Sequence, residues 1–204
     1  MEARWSNVQQ AAKIFEQHKF DCIVLPRQTL FKVQTNRETH LVIAEERLPM
    51  TANSLVHKQL YESLGARLDP TLRQLVAFVI ASGFRNVDYK NIKIPDQELA
   101  PGANPRIGLV DVDGCGEVQG EAGEETYEKS FFGEGWRMRG LLRCIAPEQF
   151  EVVKAEALKH QVTFNEGDYY EAWKDRCHQF AEDCRNRELV SNSAVYRKYS
   201  QEHL

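Results

Sequence analysis

Apolar positions recur at helical spacing near the start of the chain. Val8, Ala11, Ala12 and Phe15 share one face of a helix predicted over 7–19, with Ser6 placed to cap it. The period then changes. Asp21-Cys-Ile-Val-Leu25, Thr29-Leu-Phe-Lys-Val33 and His40-Leu-Val-Ile-Ala44 are short runs rich in β-branched residues, the last two separated by the polar turn 34–39. Such runs predict a small antiparallel sheet packed against the first helix. Glu45-Glu-Arg-Leu-Pro49 closes this section with charge and a proline and marks a hinge to a mainly helical remainder.

Beyond the hinge, 52–64 reads as an amphipathic helix with Leu55, Val56, Leu60 and Leu64 inward and Gly65 as its stop. Asp69-Pro70 starts the next helix, as an acid cap followed by proline in the first helical position. That helix carries Leu72, Leu75, Val76, Phe78, Val79 and Ile80 and is apolar on most sides, so it must be central. Gly83 ends it, and the polar loop 84–94 follows. Ile92 and Ile94 face Ile107, Leu109 and Val110 as two strands of a hairpin, across a Pro/Gly-rich surface loop over 95–105. The glycine- and glutamate-rich stretch 114–130 has too little apolar character to join a core. Pro147 opens a helix through about His160 with Phe150, Val153 and Ala157 inward. A last helix over 167–187 carries Tyr170, Trp173, Cys177, Phe180 and Cys184 in one stripe. The expected class is therefore α+β, a short antiparallel N-terminal sheet (1–48) followed by a mainly α-helical lobe (49–204).

A length of 204 residues suits one ordinary domain or two small ones. The formal net charge of −4 offers no general attraction to nucleic acid or to an anionic membrane. No apolar run approaches the roughly 20 residues that span a bilayer, and the first residues lack the apolar core of a secretory signal. A cytoplasmic setting is the expectation. Five cysteines at 22, 115, 144, 177 and 184 agree with it, because an odd, dispersed set reads as reduced thiols. Cys177, His178 and Cys184 match no structural zinc spacing.

Phe84-Arg-Asn-Val-Asp-Tyr-Lys-Asn91 and the strand Ile107-Gly-Leu-Val110 ending in Asp111 carry a family resemblance. The buried helix, the loop and the strand ending in an acid resemble the core of a protein kinase, where H-R-D-L-x-x-x-N precedes a strand and D-F-G. The loop matches in length, in Arg85, in the aliphatic Val87 and in Asn91. The resemblance implies a kinase-like fold and makes Asn91 and Asp111 the metal ligands. It sets Glu45 and Glu46 at the nucleotide-binding linker and Glu16 as an ion-pairing acid, with Mg²⁺ and ATP or ADP as the implied ligands. It covers about 7–114. Ala146-Pro-Glu148 also copies the A-P-E that ends a kinase activation segment, although a helix start explains it equally well.

The departures concern the chemistry. Asn86 stands where the proton-accepting aspartate belongs, and a carboxamide accepts no proton near neutral pH. Asp88 replaces the loop lysine, Asp111-Val-Asp113 replaces D-F-G, and nothing before residue 7 supplies a glycine-rich loop or a phosphate-gripping lysine. The expectation is a degenerate, N-terminally truncated kinase-like binding or scaffolding protein whose partner is another protein. The chain could also be part of a longer protein whose further strands complete the small lobe. One alternative is a Mg²⁺-dependent phosphotransferase or phosphatase with Asp111 as nucleophile and Asp88 or Asp113 assisting, since Asp111-Val-Asp-Gly114 also resembles the first motif of haloacid-dehalogenase-type phosphatases. Another is an unrelated α+β interaction domain, in which Asp88, Asn91, Asp111 and Asp113 only stabilise turns.

Overall fold

The computed structural model describes residues 2–49, 57, 61, 63–88, 90–94, 102–112, 131–132, 140–145, 149–163, 167 and 171. Among them the chain forms a mixed α+β protein with three α-helices and two small sheets. Helix α1 (Glu2–His18) leads into strand β1 (Ile23–Val24), then β2 (Gln28–Gln34) and β3 (Thr39–Glu45). A 3-10 turn (Gly65–Leu68) runs into α2 (Asp69–Ser82), followed by β4 (Ile92–Lys93), β5 (Ile107–Leu109) and α3 (Phe150–Lys159).

Helix α2 is the axle, as its pattern requires. Leu72, Leu75, Val76, Phe78 and Val79 are completely buried, and no residue of the helix is fully exposed. Its start differs by one position from expectation: Leu68 precedes the first helical residue and Asp69 lies inside the first turn, where Pro70 needs no N–H partner. Gly83 closes it in the left-handed region (φ 63°), with its N–H on the Val79 carbonyl at 2.9 Å. Three polar side chains of α2 also reach neighbouring segments. The Thr71 hydroxyl donates to the Pro105 carbonyl. Ser82 donates to the Phe78 carbonyl at 2.6 Å and accepts the Phe84 N–H at 3.2 Å. Gln74 Oε1 accepts the N–H groups of Asp21 (3.0 Å) and Cys22 (2.8 Å), while its amide donates back to the Asp21 carboxylate. The Gln74 hydrogen bond, followed by one from Cys22, holds the Asp21 carboxyl below its ordinary value, and burial pushes the Cys22 thiol up.

That clasp redirects β1. The expected three-stranded N-terminal sheet does not form: β1 runs parallel to β5 (Ile23 opposite Ile107), and β5 pairs antiparallel with β4 (Ile92 opposite Leu109). Gln74 fixes 21–22 beside α2, which aims Ile23 at the core, and Pro26 cannot donate a ladder N–H that would extend β1 toward β2. What remains of that sheet is the β2–β3 hairpin, with Phe31 opposite Val42. It is not packed as the alternation predicts: Leu30, Leu41 and Ile43 are half-buried, while Phe31 (49%), Val33 (44%) and Val42 (42%) stay exposed on the other face.

Helix α1 begins at Glu2 rather than Asn7, so Ser6 lies within it and caps nothing. Its inward stripe is Val8, Ala11 and Ile14, with Ala12 exposed. Phe15 meets Phe20 (5.4 Å between centroids) and Phe78 (6.4 Å) edge-on, and Phe78 also meets Phe20 and Phe84. The hairpin of 92–94 with 107–110 forms as read, over β4 and β5. Helix α3 buries Phe150, Val153 and Ala157 as its spacing predicts. One apolar cluster joins residues of α1 to those of α2, β4, β5 and α3, across the boundary expected near residue 48. Buried polar groups brace the same layer: Ile94 N–H donates to His57 Nδ1 (3.1 Å), Tyr61 donates to the Ile92 carbonyl (3.3 Å) and Gln149 to the Tyr61 carbonyl (3.0 Å). Of the helix read over 52–64, His57, Tyr61, Ser63 and Leu64 are described and helical; of that over 167–187, only Gly167 and Glu171.

Phe78→Ala should lower stability by about 3–5 kcal/mol in denaturant unfolding, since it empties the centre of the aromatic cluster. Arg73 joins α2 to Glu156 of α3 at 3.4 Å, and Lys159 adds a 2.6 Å contact. Burial pushes the Glu156 carboxyl upward, but hydrogen bonds and charge from Lys159 and Arg73 outweigh it, so its pKa lies below the ordinary value. A depressed folded-state pKa contributes stability above the unfolded value, and that contribution fades as pH falls through the folded one. Glu156→Gln should therefore cost about 1 kcal/mol at pH 7, with the difference from wild type shrinking below about pH 4 in acid titrations of unfolding.

Candidate functional site

The polar loop leaves the buried end of α2 and is pinned at both ends. Phe84 and Val87 are fully buried, while Arg85, Asn86 and Asp88 between and after them are partly exposed. Asp88 makes the turn: its carbonyl accepts the N–H groups of Asn91 (2.7 Å) and Ile92 (2.9 Å), and its carboxylate accepts the Lys90 N–H at 3.4 Å. The Val87 carbonyl accepts the Gly140 N–H at 2.8 Å, tying the loop to the segment around 140.

Asn91 is 7% exposed and its amide donates to the Asn86 carbonyl at 2.8 Å. The Asn86 side chain donates in turn to Asp111 Oδ2 at 3.1 Å. Val110 N–H on the Asn91 carbonyl (2.9 Å) brings the strand end alongside. Asn86, Asn91 and Asp111, 25 residues apart at the extremes, thus form one hydrogen-bonded relay. Asp111 has a left-handed backbone (φ 60°), a conformation that costs a non-glycine residue about 1 kcal/mol and is common at sites that fix a side chain. Its other oxygen, Oδ1, lies 3.5 Å from Arg4 Nη2 of α1, and both side chains are about half exposed (49% and 47%).

Arg4 was not visible as a site residue in the sequence, because its partner is more than a hundred positions away. One signal existed. A cation in the first turn of a helix opposes the helix dipole, so it needs another reason to be there.

The remaining candidates fall elsewhere. Glu45 and Glu46 end β3 at the base of the hairpin: Glu46 pairs with Arg27 at 3.1 Å, and Gln28 donates to Glu45. The Arg27 hydrogen bond holds the Glu46 carboxyl below its ordinary value. No described contact joins either glutamate to the loop. Glu16 lines a groove of about 520 Å³ between α1 and residues 25–28, whose walls include Trp5, Val8, Phe15, Leu25 and Pro26. Asp113, the acidic stretch 114–130, Ala146–Glu148 and the aromatic stripe from Tyr170 lie outside the described residues, as do Cys177, His178 and Cys184.

Mg²⁺ requires about six oxygen ligands near 2.1 Å in octahedral array. The arrangement does not fit it. Asp111 receives a guanidinium on one oxygen and an amide N–H on the other, so neither carboxylate oxygen faces a cation unopposed, and the Asn91 side-chain nitrogen is held by the Asn86 carbonyl. Among the described residues no group of three or more His, Cys, Asp or Glu converges.

Fold and site thus define a mixed α+β protein with a polar relay at the end of a buried helix. No family model, no curated protein and no solved structure matches the chain. No helix among the described residues is long and apolar enough to cross a membrane.

Asn91→Ala should leave the Asn86 carbonyl without its side-chain donor and cost about 1–2 kcal/mol. Faster amide hydrogen exchange confined to 84–92 is the expected readout.

Proposed function

We propose that this chain is a degenerate kinase-like binding or scaffolding protein that performs no phosphotransfer. The observation that carries the reading is the relay itself. Asn91, Asn86 and Asp111 meet in the order that a kinase loop and strand would bring them, yet Asn86 donates a hydrogen bond where a base would have to accept a proton. Further support comes from the succession of helix, hairpin, buried helix, polar loop and short hairpin ending in Asp111. The contacts of Asp111 with Arg4 and Asn86 support the reading of a structural anion rather than a nucleophile. The buried cysteines Cys22 and Cys144 suit a reducing cytosolic setting. The partner is another protein, and the contribution of the loop is a rigid framework for its surface. Nucleotide, if bound, is a ligand of this framework and not a substrate.

The test is turnover. Purified full-length chain with ATP and Mg²⁺ should show no phosphate release or peptide phosphorylation above buffer, and no hydrolysis of an aryl phosphate. Turnover that Asp111→Asn abolishes would sink the proposal. A melting-temperature rise of about 1–3 °C with millimolar ADP, lost in the same variant, would locate nucleotide at the relay.

A further inference from the structure

The misfit with Mg²⁺ has a specific cause, which is the N-terminal turn of α1. We infer that Arg4 is a built-in counter-ion for Asp111 and keeps divalent cations out of the relay, so any ligand of this centre binds without metal. The inference rests on the reading that Asn91 and Asp111 stand in metal-ligand positions.

The geometry supplies the argument. The Asp111 side chain is about half exposed and springs from a left-handed backbone. A solvent-reaching carboxylate at a strand end is the kind of oxygen ligand a hard cation takes. Arg4 Nη2 lies 3.5 Å from Oδ1, so an ion ligating that oxygen at about 2.1 Å would be no farther than about 5.6 Å from the guanidinium. Repulsion between a double and a single positive charge at that range weakens binding about tenfold even in a water-like dielectric. Asn86 adds a second obstacle, because its N–H points at Oδ2 and a cation there would face the positive end of the amide dipole. An aspartate at position 86 would instead have offered another oxygen. Lys90, the neighbouring cation on the loop, is exposed and gives its backbone N–H to Asp88.

The arrangement also couples two distant segments. A cation at Oδ1 would compete with Arg4, which links the first turn of α1 to the strand end. The α1 terminus therefore responds to whatever occupies Asp111.

Metal alone is the probe: Mn²⁺ titrated into full-length protein, followed by loss of the free-ion electron paramagnetic resonance signal. Wild type should show no binding that Asp111→Asn removes. Arg4→Gln, which keeps a good helix former at a surface position, should gain a site at least about tenfold tighter, and the double variant with Asp111→Asn should lose it. Arg4→Lys retains the charge and should behave as wild type. Wild-type binding abolished by Asp111→Asn overturns the inference, and so does a folded Arg4→Gln protein that gains nothing over Arg4→Lys. Nucleotide takes no part in this measurement. The turnover test can therefore fail while this one succeeds, and the reverse.

Discussion

Burial of α2 on every side is the constraint from which the other elements take their places. A helix whose apolar residues point all round is stable in water only if neighbours cover each face. Helix α1 covers one through Phe15 on Phe78, and α3 covers another with Arg73 and Glu156 at the edge. Strands β4 and β5, with β1 alongside, complete the enclosure. Burial imposes a second condition, because each polar group taken from water needs a partner. Thr71, Gln74 and Ser82 meet it by bonding to other segments or to the helix end, and in doing so they set where the chain enters and leaves.

The relay follows from that exit. Gly83 turns the chain out of α2, and the buried Phe84 and Val87 act as two anchors between which Asn86 reaches Asp111. Asp88 then turns the chain back so that Asn91 lies next to the end of β5. The loop is held by backbone and side-chain hydrogen bonds, and its donors are amides. Asn86 and Asn91 donate hydrogen bonds, and Asp111, which accepts from Asn86, is paired with a guanidinium. Such a centre holds shape well and moves protons poorly.

The β2–β3 hairpin shows the opposite situation, a regular element with half of its packing missing. Its register is complete from Gln28 opposite Glu45 to Gln34 opposite Thr39, and the Arg27–Glu46 pair secures its open end. Backbone pairing and cross-strand contacts define it, whereas the core contributes only on the side of Leu30, Leu41 and Ile43. Alternation of apolar residues reported the strands accurately because it is a local property. It did not report which faces would find a neighbour.

Local physics settled much of this protein in advance. The all-round apolar pattern of 72–80 required a central helix, Gly83 had to end it, and the periodicity of Phe150, Val153 and Ala157 named the inner face of α3. The loop residues Asn86, Asp88, Asn91 and Asp111 were also legible as a group, since they sit at the ends of strongly patterned elements. Tertiary structure alone decided the rest. Ile23 and Val24 joined β5 instead of β2 because one glutamine on α2 captured two backbone N–H groups over fifty positions away. Arg4 found Asp111 across the length of the core. Pairings of that kind depend on where two separate segments come to rest, and no spacing along the chain encodes that distance; it exists only once the helix between them has been buried.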